Sequence, residues 1–421
     1  MKHKLGPMAI VAAAAVPILI WILMLPLSQR FGSLANGLQS LGQLAALVGV
    51  VLFSLSFVLN SRIAALEEYF GGLDKMLAWH HLAGAASFVL LLFHPIFLAA
   101  RFLGFSLKMA LAFLLPGSEL ANNFGIIALF IMMALLAMTF FVKLAYHRWK
   151  FFHQFLGIAF IIASLHVLLI SSDVSRSMSL RLYILSWAAV GILFYFKRTV
   201  LGSLLTRKYS YKVADVNKLN EEIIEIVLSP VGEHLHFTPG QFAFLRFPAV
   251  TKENHPFTIS SSPSEPNLRF TIKALGDHTS KLRELAIGSP VEVEGPHGRF
   301  LVSNLGEQIW IAGGIGITPF LSRARSRMLP ARVDFYYTVT RAEEAVFAKE
   351  LAALESKTFK FNLVITAQMG RLTADKISEQ CGSLSAKQVY ICGPSSMLSD
   401  LAGQLKKAGA RHIHSEIFGF L

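Results

Sequence analysis

The sequence predicts a multidomain membrane protein, in which a six-helix transmembrane bundle is followed by a small antiparallel β-barrel and then an α/β domain. Of the 421 residues, 54% are hydrophobic and only 15% are charged, which is too apolar for an ordinary soluble enzyme of this length. The apolar excess lies before about residue 200. The remainder alternates apolar and polar residues and carries turn signals, as soluble α/β proteins do.

The charge and the cysteines limit the class of partner. The formal net charge of +13 does not indicate nucleic-acid binding, because the sequence has no basic stripe interleaved with aromatic residues and many basic residues flank apolar runs. Cys381 and Cys392 both follow the apolar region and form neither a disulfide framework nor a CxxC metal cluster. We therefore expect no nucleic-acid partner and a reducing, cytoplasmic setting for the second half.

Apolar runs of about the 20 residues needed to cross a bilayer occur at six places. They lie near residues 7–28, 37–59, 76–100, 123–145, 150–171 and 178–197. The first has the basic start of a signal peptide, but it is long enough to span and other spans follow. With the N-terminus inside, the basic residues are biased towards the cytoplasmic side. The inner set is Lys2, Lys4, Arg62, Lys75, Lys143, Arg148, Lys150, Lys197 and Arg198, and the outer set is Arg30, Arg101, Lys108, Arg176 and Arg181.

Two predicted spans carry a histidine near each end of the apolar run. The third reads LAWHHLAGAASFVLLLFHP and the fifth reads WKFFHQFLGIAFIIASLHVL. Unpaired polar groups are costly in hydrocarbon, so ionisable residues there indicate a functional site. His80 and His94 lie 14 residues apart, about 21 Å along a helix, and His153 and His166 lie 13 apart, about 20 Å. Two such helices can hold two haems, one near each membrane surface, with each iron between two imidazoles.

Two points of this hypothesis stay open. A 13-residue spacing is about 140° out of phase on an ideal helix, and bending near Gly157 would compensate. His81 is an alternative inner ligand, but His80 is preferred because His80 and His153 are each followed by a glycine four residues later. His81 would then contact a propionate. Histidines hydrogen-bonded at helix interfaces are the alternative explanation, which suits a single residue better than four. His3 and His147 are expected at the interface.

The stretch from Lys197 to about Phe300 is β-rich and contains two segments suited to a flavin. A flavin needs polar contacts to its ring edge, aromatic cover and donors for its pyrophosphate. The segment HPFTISS supplies the first two, and KALGDHT supplies backbone and hydroxyl donors. By spacing alone the second is only a strand with a glycine-bearing turn. The candidate flavin contacts are His255, Pro256, Phe257, Thr258, Ser260, Ser261, Ile272, Lys273, Ala274, His278 and Thr279.

A nucleotide site is predicted where the apolar strand QIWIA leads into GGIGITP and a helix. Glycines let the backbone approach a pyrophosphate that faces the helix N-terminus, and proline suits the first helical turn. The loop is not the GxGxxG fingerprint of dinucleotide folds. A later strand, VYIC, ends in another tight turn. The candidate nucleotide contacts are Gly313, Gly314, Gly316, Thr318, Pro319, Gly393 and Pro394.

Arg341 bears on the choice of nucleotide. It follows the strand FYYTVT, from which a guanidinium can bind a ribose 2′-phosphate by two hydrogen bonds. This favours NADPH over NADH, although an exposed arginine after a strand is more often only solvated. Arg371 is a second candidate for the same role.

These motifs resemble the ferric reductase and NADPH oxidase superfamily over nearly the whole chain. The histidines are similar to those of its transmembrane domain, which holds two haems between the third and fifth helices. HPFT and KALGDHT resemble its FAD signatures, and VYICGP resembles the nicotinamide-side motif of ferredoxin reductase-like domains. The resemblance implies a transmembrane haem-binding domain at 1–200, a ferredoxin reductase-like FAD-binding β-barrel at 201–303 and an NAD(P)H-binding α/β domain at 304–421.

The resemblance also implies individual roles. His80 and His153 would bind the inner haem b, and His94 and His166 the outer one. Cys392 would act on the nicotinamide side. A terminal aromatic residue would cover the flavin and move when nicotinamide approaches. Within the apolar C-terminus HSEIFGFL, Phe418 is the first choice for this residue and Phe420 the alternative.

The implied activity is electron transfer from cytoplasmic NADPH, or NADH, through FAD and two haems to an outer acceptor, in a bacterial inner membrane. With two imidazoles on each iron, the acceptor must be reduced at the haem edge. Superoxide formation from O2 is favoured by HPFT, the histidine spacings and the short six-span form. The alternatives are a ferric chelate or other metal reductase, an electron-transfer module for a periplasmic partner, and a nucleotide-binding transporter or sensor.

The sequence departs from the family at the outer site. The animal-type oxidases have a further histidine one turn beyond the outer ligand, where this sequence has Leu98. An outer arginine would be Arg30 or Arg101. Apart from membrane lipid and a small-molecule acceptor, the sequence predicts no particular partner.

Overall fold

The computed structural model describes residues 2–144, 146–251, 253–300, 306–327, 329 and 331–417. The chain divides into two compact units, Met1–Leu205 and Thr206–Leu421. The first is helical, and six of its helical segments are long and apolar enough to cross a membrane. The second contains an antiparallel sheet and a parallel sheet. The predicted fold class is confirmed.

The six spans of the first unit match the predicted ones in number and position. They are α1 (Leu5–Met24), α3 (Leu34–Leu59), α5 (Leu73–Ala100), α7 (Leu120–Phe141), the pair α8 (Tyr146–His153) and α9 (Leu156–Leu169), and α11 (Met178–Tyr195). The short helices are α2 (Leu27–Arg30), α4 (Ala64–Phe70), α6 (Leu107–Phe113), α10 (Asp173–Arg176) and α12 (Gly202–Leu205), with single turns at Lys2–Lys4 and Phe196–Val200.

Glycines let α5 pack closely against α3. α3 packs against α1, α5 and α11, and most of its second half is buried. A Cβ at Gly42 would lie 3.0 Å from the Leu98 side chain, and one at Gly49 would lie 2.8 Å from Leu91. Small residues at such contacts allow the backbones of transmembrane helices to approach. These two glycines therefore fix the position of α5, the helix that carries the first two histidines.

The fifth span is broken between its two histidines. α8 ends at His153 and α9 begins at Leu156. At the break, the amide of Phe155 donates to the carbonyl three residues before it, rather than four. Such steps turn by about 120° instead of about 100°, which reduces the expected phase mismatch. The break lies close to the expected bend, since the amides of Gly157 and Ile158 also donate to carbonyls three residues before them. Gly157 itself packs so closely on Tyr195 that a Cβ would not fit.

A buried ion pair joins three helices of the first unit. Arg30 at the end of α2 donates from Nη1 to Asp173 Oδ2 at 2.9 Å, and Trp21 Nε1 donates to the same oxygen at 2.9 Å. Arg30 Nη2 also donates to the Trp21 carbonyl at 2.8 Å, and its guanidinium lies 3.5 Å from the centre of the Trp21 ring. Asp173 begins α10, so the pair fixes the connection between the fifth and sixth spans to the end of α1.

The second unit begins with a six-stranded antiparallel sheet in the order β4-β3-β6-β1-β2-β5. Ile259, just after β4, forms an antiparallel bridge with Phe270 of β5, so the two edges meet and the sheet closes into a barrel. Its strands enclose an apolar core. They are β1 (Lys208–Lys218), β2 (Ile223–Pro230), β3 (Phe242–Arg246), β4 (His255–Thr258), β5 (Leu268–Lys273) and β6 (Pro290–His297), with α13 (Asp277–Lys281) and a turn at Leu282–Glu284.

A five-stranded parallel sheet follows, in the order β11-β10-β7-β8-β9. The chain moves from β7 to β8 and β9 and then returns to place β10 on the other side of β7. In such sheets, ligands bind beyond the carboxyl ends of the two strands where the order reverses, here β7 and β10. The strands are β7 (Glu307–Gly313), β8 (Arg332–Val339), β9 (Phe359–Ile365), β10 (Gln388–Gly393) and β11 (His412–Ile417).

Helices and turns connect these parallel strands. α14 links β7 to β8, α15 links β8 to β9, α16 and α17 link β9 to β10, and α18 links β10 to β11. The helices are α14 (Thr318–Arg325), α15 (Ala348–Ala352), α16 (Thr366–Met369), α17 (Ala374–Cys381) and α18 (Ser395–Lys407), with single turns at Gly314–Ile317 and Ala342–Glu344.

We expect Asp173→Ala to destabilise the first unit by about 3–5 kcal/mol, because it leaves the buried guanidinium of Arg30 without its counter-ion. Thermal unfolding of the detergent-solubilised protein measures this effect. Arg176→Ala is the matched control: Arg176 lies 3.9 Å from the same carboxylate, but its side chain is 71% exposed. Such a pair contributes at most about 1 kcal/mol. Equal shifts in the two variants would contradict the assignment.

Candidate functional site

The four membrane histidines form two facing pairs. The ring centroids of His80 and His153 are 6.4 Å apart, and those of His94 and His166 are 6.5 Å apart. Each pair joins α5 to the fifth span, once near each end of α5. Since α5 is helical throughout Leu73–Ala100, its two histidines are separated by about 21 Å along the axis.

Backbone carbonyls bind the Nδ1 atoms of three of these rings. His80 Nδ1 lies 2.8 Å from the Ser56 carbonyl, and His94 Nδ1 lies 2.8 Å from the Gly42 carbonyl, both on α3. His166 Nδ1 lies 2.7 Å from the carbonyl of Ala121 on α7. A carbonyl can only accept, so each Nδ1 carries the proton and each Nε2 has a free lone pair. Metal-binding histidines are commonly oriented in this way.

The separation of the rings fits a metal between them. An imidazole nitrogen binds a first-row metal at about 2 Å, so two imidazoles on opposite sides of one ion have centroids about 6 Å apart. Within the described residues, no group of three or more histidine, cysteine or acidic side chains comes together. Each pair therefore suits an ion whose other ligands come from a macrocycle. Gly84, one turn from His80, leaves room for a flat group, since a Cβ there would meet nothing within 4 Å.

The inner pair has two further aromatic neighbours. His81 lies 5.5 Å from the His80 ring, and Trp149 stacks on His153 with centroids 4.9 Å apart. It is His80 that faces His153, whereas His81 projects from the next position on α5. His153 Nδ1 is buried and has no hydrogen-bond partner among the described residues. The stacked indole is thus the contact that orients this ring.

The two candidate outer arginines are both engaged by the protein. Arg30 is bound to Asp173, as described above. Arg101 Nη1 donates to Gln39 Oε1 at 2.8 Å, and its guanidinium lies 4.6 Å from the centre of the Phe102 ring. Leu98 packs on Gly42 of α3.

In the barrel, His255 and His278 form a stacked pair with centroids 3.7 Å apart and planes 16° from parallel. Within the described part of the chain, His255 Nε2 and both ring nitrogens of His278 are buried without hydrogen-bond partners. Burial lowers the pKa of His255, although the nearby Glu253 opposes this. Burial, His255 and Lys281 together lower the pKa of His278 to about 4. Both rings are therefore neutral at neutral pH.

The other residues of the first predicted flavin segment lie on β4 or directly after it. Pro256 and Phe257 are partly buried, and Phe257 packs against the barrel core. Thr258 is buried, and Ser260 and Ser261 are fully buried. The Ser260 hydroxyl accepts from Thr271 at 3.1 Å. The two serines are thus part of the interior of the second unit.

The second predicted flavin segment begins on β5 and ends on α13. Ile272 is buried, Lys273 forms an ion pair with Glu222 at 3.1 Å, and Ala274 continues the strand. The Thr279 hydroxyl accepts from the amides of Leu275 and Gly276. It therefore closes the turn before α13.

The two glycine turns meet where the parallel sheet reverses its order. A Cβ at Gly316 would collide with the carbonyl of Cys392, and one at Gly393 would lie 3.0 Å from the Gly313 Cα. Gly313 itself would place a Cβ 2.8 Å from Met397 Sδ. Only glycines allow the ends of β7 and β10 to pack so closely. Gly314, at φ +53, has nothing within 4 Å of a Cβ position and so faces open space.

The remaining nucleotide candidates surround these turns. Thr318 and Pro319 begin α14 and are buried, and the Thr318 hydroxyl donates to the Ile315 carbonyl at 3.2 Å. Pro394 precedes the first residue of α18. Cys392 is fully buried in the core between the sheet and its helices. Phe418 and Phe420 lie outside the described residues.

Arg341 lies just beyond the carboxyl end of β8, on the same edge of the sheet as the glycine turns. Its side chain is exposed, and its Nε donates to Glu344 Oε1 at 3.2 Å. This hydrogen bond raises the pKa of Arg341. Arg371, the second candidate, is also exposed and forms an ion pair with Asp400 at 3.6 Å.

A polar network next to the turn at Gly314–Ile317 was not predicted from the sequence. Ser322 and Arg325 of α14 bind the carbonyls of Ser261 and Ser260, respectively, and Arg325 also binds the buried Glu225. Two signals were present in the sequence. Glu225 interrupts the apolar run IIEIVL, and Ser322 and Arg325 are three residues apart on a helix.

Three families match successive parts of the chain. Residues 45–164 match the family described as a ferric reductase like transmembrane component. Residues 208–304 match an FAD-binding domain, and residues 310–402 match an oxidoreductase NAD-binding domain. The first match covers part of the bundle, the second the barrel and the third most of the α/β region.

Curated relatives match parts of the chain at low identity. Flavohemoprotein A of Dictyostelium discoideum is 29% identical over 212 residues, which is 44% of this chain and 53% of that protein. Respiratory burst oxidase homolog protein E of Arabidopsis thaliana is 27% identical over 165 residues, 32% of this chain and 17% of that protein. The chain thus spans about half the length of the first relative and less of the second.

A solved structure gives a similar partial match. It is the flavohem-like FAD/NAD binding domain of nitric oxide dioxygenase from Vibrio cholerae O1 biovar El Tor, with a TM-score of 0.46 and 21% identity. The match covers 50% of this chain and 98% of that one.

The three domain matches follow one another along a single chain, with six candidate spans in the first unit. This is the arrangement expected from the histidine, FAD and nucleotide motifs. In this order of domains the chain matches the ferric reductase and NADPH oxidase superfamily.

Proposed function

We propose that the chain is a transmembrane oxidoreductase that passes electrons from cytoplasmic NADPH, through FAD and two haems b, to O2 on the other side of the membrane, forming superoxide. The observation that carries this proposal is the pair of facing imidazoles at each end of α5, with centroids 6.4 and 6.5 Å apart. Two such pairs at different depths suit a path for electrons across the bilayer.

Four histidines would hold the haems: His80 with His153 on the inner one, and His94 with His166 on the outer one. A haem iron with two imidazole ligands supplies one-electron transfer without an open coordination position. The carbonyls that accept from Nδ1 in three of the rings leave Nε2 unprotonated in each. Trp149 orients the fourth ring by stacking.

The barrel and the sheet would bind the two nucleotides. FAD supplies the conversion between a two-electron hydride and single electrons. The neutral His255 and His278 rings have unpartnered nitrogens that can donate to its pyrophosphate. Gly314 leaves the backbone after β7 accessible to the nicotinamide nucleotide, and Arg341 lies where a 2′-phosphate could replace Glu344 as its partner. This last feature supports a preference for NADPH.

The acceptor is proposed by similarity. The match to a respiratory burst oxidase homolog favours O2, whereas the match to a ferric reductase like transmembrane component favours a ferric chelate as the second candidate. Arg30 and Arg101 each have a partner within the bundle, Asp173 and Gln39 respectively.

The orientation is supported by charge. Most basic residues flanking the spans lie on the side of the N-terminus and of the connection to the second unit. We therefore propose that the nucleotide-binding unit is cytoplasmic and that the membrane is a bacterial inner membrane.

The central test uses purified, FAD-supplemented protein under anaerobic conditions. We expect NADPH to produce the visible bands of reduced low-spin haem faster than NADH does, and admission of air to give a dismutase-sensitive superoxide signal. Haem reduction without superoxide would favour the ferric chelate reductase. A protein without a haem spectrum would contradict the proposal itself.

Removing one ligand of a pair should remove one haem. We expect His80→Ala to lose the inner haem and His94→Ala the outer one, because a single remaining imidazole leaves the iron without its second axial ligand. His81→Ala is the matched control and should retain both haems. Haem content per chain and the redox-difference spectrum measure the result. Loss of a haem from His81→Ala, with retention by His80→Ala, would reverse the assignment.

FAD binding should strengthen as pH falls from about 8 to about 5, within the range where a histidine can titrate. The pyrophosphate favours the protonated form of the imidazole that it faces, so binding raises the pKa of His278 above its value of about 4 in the free protein. The gain in FAD affinity is complete below the pKa that this imidazole has without FAD, and it is lost as pH rises through the pKa that the imidazole has with FAD bound. Fluorescence titration should show a change of at most about tenfold per pH unit for one proton.

Two variants check this dependence. His278→Gln should flatten it, whereas His236→Gln, at an exposed histidine of the same barrel, should leave it unchanged. An FAD affinity that does not depend on pH in the unmodified protein would contradict the proposed contact.

A further inference from the structure

α14, the helix that follows the turn at Gly314–Ile317, is bound to the barrel by two polar side chains. Ser322 Oγ donates to the Ser261 carbonyl at 2.7 Å, and Arg325 Nη1 donates to the Ser260 carbonyl at 3.0 Å. Both carbonyls belong to the segment directly after β4. Since Ser322 and Arg325 are three residues apart, they lie on the same face of α14. One face of this helix is therefore attached to the strand that carries the candidate flavin contacts.

Carboxylates hold Arg325 from two other elements. Its Nη1 also donates to Oε1 of Glu225 on β2 at 2.8 Å, and its Nε and Nη2 donate to the two oxygens of Glu350 on α15 at 2.7 and 3.0 Å. The second oxygen of Glu225 accepts from Arg269 at 3.2 Å. Burial alone would lower the pKa of Arg325, but its bonds to Glu350 and Glu225 raise it. The guanidinium is thus permanently charged and fully oriented.

A network of this kind fixes the relative position of β2 and α14 more than it stabilises the fold. Burying Glu225, which is 4% exposed, costs desolvation energy that its ion pairs only partly offset. A well-packed apolar pair could join β2 to α14 equally well. The forked guanidinium instead fixes both distance and angle, because it binds a carboxylate and a carbonyl in set directions.

The network connects the two elements that hydride transfer must align. β4 carries the candidate flavin contacts, and α14 begins at Thr318, directly after the turn at Gly314–Ile317. Seven residues of helix place Arg325 about 10 Å from that turn. The same turn also lies against β5 of the barrel and against β10. A rotation of α14 about the hydrogen bonds of Ser322 and Arg325 would therefore move the turn at Gly314–Ile317 relative to β4.

We propose that Arg325 is a positioning residue that, through Glu225 and the Ser260 carbonyl, sets the approach of nicotinamide to flavin. This inference rests on the proposed NADPH oxidation by FAD. In that step a hydride, one proton with two electrons, leaves the reduced nicotinamide and is added to the flavin, so the nicotinamide is oxidised as the flavin is reduced. The reacting atoms must be about 3–3.5 Å apart, and a displacement of about 1 Å can cost about 100-fold in rate.

The test is rapid anaerobic mixing of the full-length, FAD-loaded protein with saturating NADPH. We expect Arg325→Met and Glu225→Gln to slow flavin reduction by about 10- to 100-fold and to weaken the nicotinamide–flavin charge-transfer absorbance. FAD affinity and NADPH KM should change by less than about threefold, because neither residue is among the candidate cofactor contacts. Arg325→Lys retains the charge without the fork, and its rate should lie between those of Arg325→Met and the unmodified protein.

Arg327→Met is the matched control, since Arg327 is an exposed arginine two residues further on. It should reduce flavin at the unmodified rate. The double variant Arg325→Met with Glu225→Gln should be no slower than the slower single variant if the pair acts as one unit.

Three results would overturn the proposal. One is an unchanged rate in Arg325→Met. A second is a loss of FAD binding or thermal stability that fully accounts for the slower rate in Arg325→Lys, which would make the role structural. The third is failure of the unmodified protein to reduce its flavin with either nucleotide. That failure refutes the proposed function as well, whereas the first two leave it intact.

Discussion

The first unit depends on holding four imidazoles in an apolar bundle as two facing pairs. Each ring would be costly there without partners, and water is not present to supply them. The bundle supplies backbone carbonyls for three rings and an indole for the fourth. Two of those carbonyls come from α3, and its glycines let α5 approach closely enough for the bonds to form. Helix packing and histidine orientation are therefore the same constraint.

The second unit meets a different constraint, which is to keep the backbone at the ends of two neighbouring parallel strands accessible to a nucleotide. The sheet order places the ends of β7 and β10 side by side, and glycines at both ends remove the side chains that would block them. Gly314 keeps one face of the turn open, while Gly316 packs on the carbonyl of Cys392. Only glycine fits the close contact at position 316, and the positive φ of +53 at position 314 favours glycine there as well.

Local patterns in the sequence predicted much of this arrangement. Hydropathy predicted the six spans, and the fixed rise per residue predicted the distance between His80 and His94 along α5. Both predictions need only the properties of a single helix. A bend near Gly157 was expected, and the break lies close to it, between His153 and Leu156. The glycine motifs were visible, but the contact between Gly316 and Cys392 follows only from the strand order. Partners of Arg325 lie 65 and 100 residues away, and Arg30 and Asp173 are 143 apart.

Arg30 and Arg325 show how similar ion pairs can serve different purposes. Arg30 joins a helix end to two connecting segments, and its partners, Trp21 and Asp173, are not among the candidate cofactor contacts. Arg325 joins elements that each carry part of a candidate nucleotide site. Loss of Arg30 should therefore appear in stability, because no reacting group depends on its geometry. Loss of Arg325 should appear first in a rate, because a small rotation of α14 changes the distance between two reactants before it unfolds either domain. Whether such an ion pair stabilises the fold or positions reactants is therefore decided by the elements that it joins, and not by how deeply it is buried.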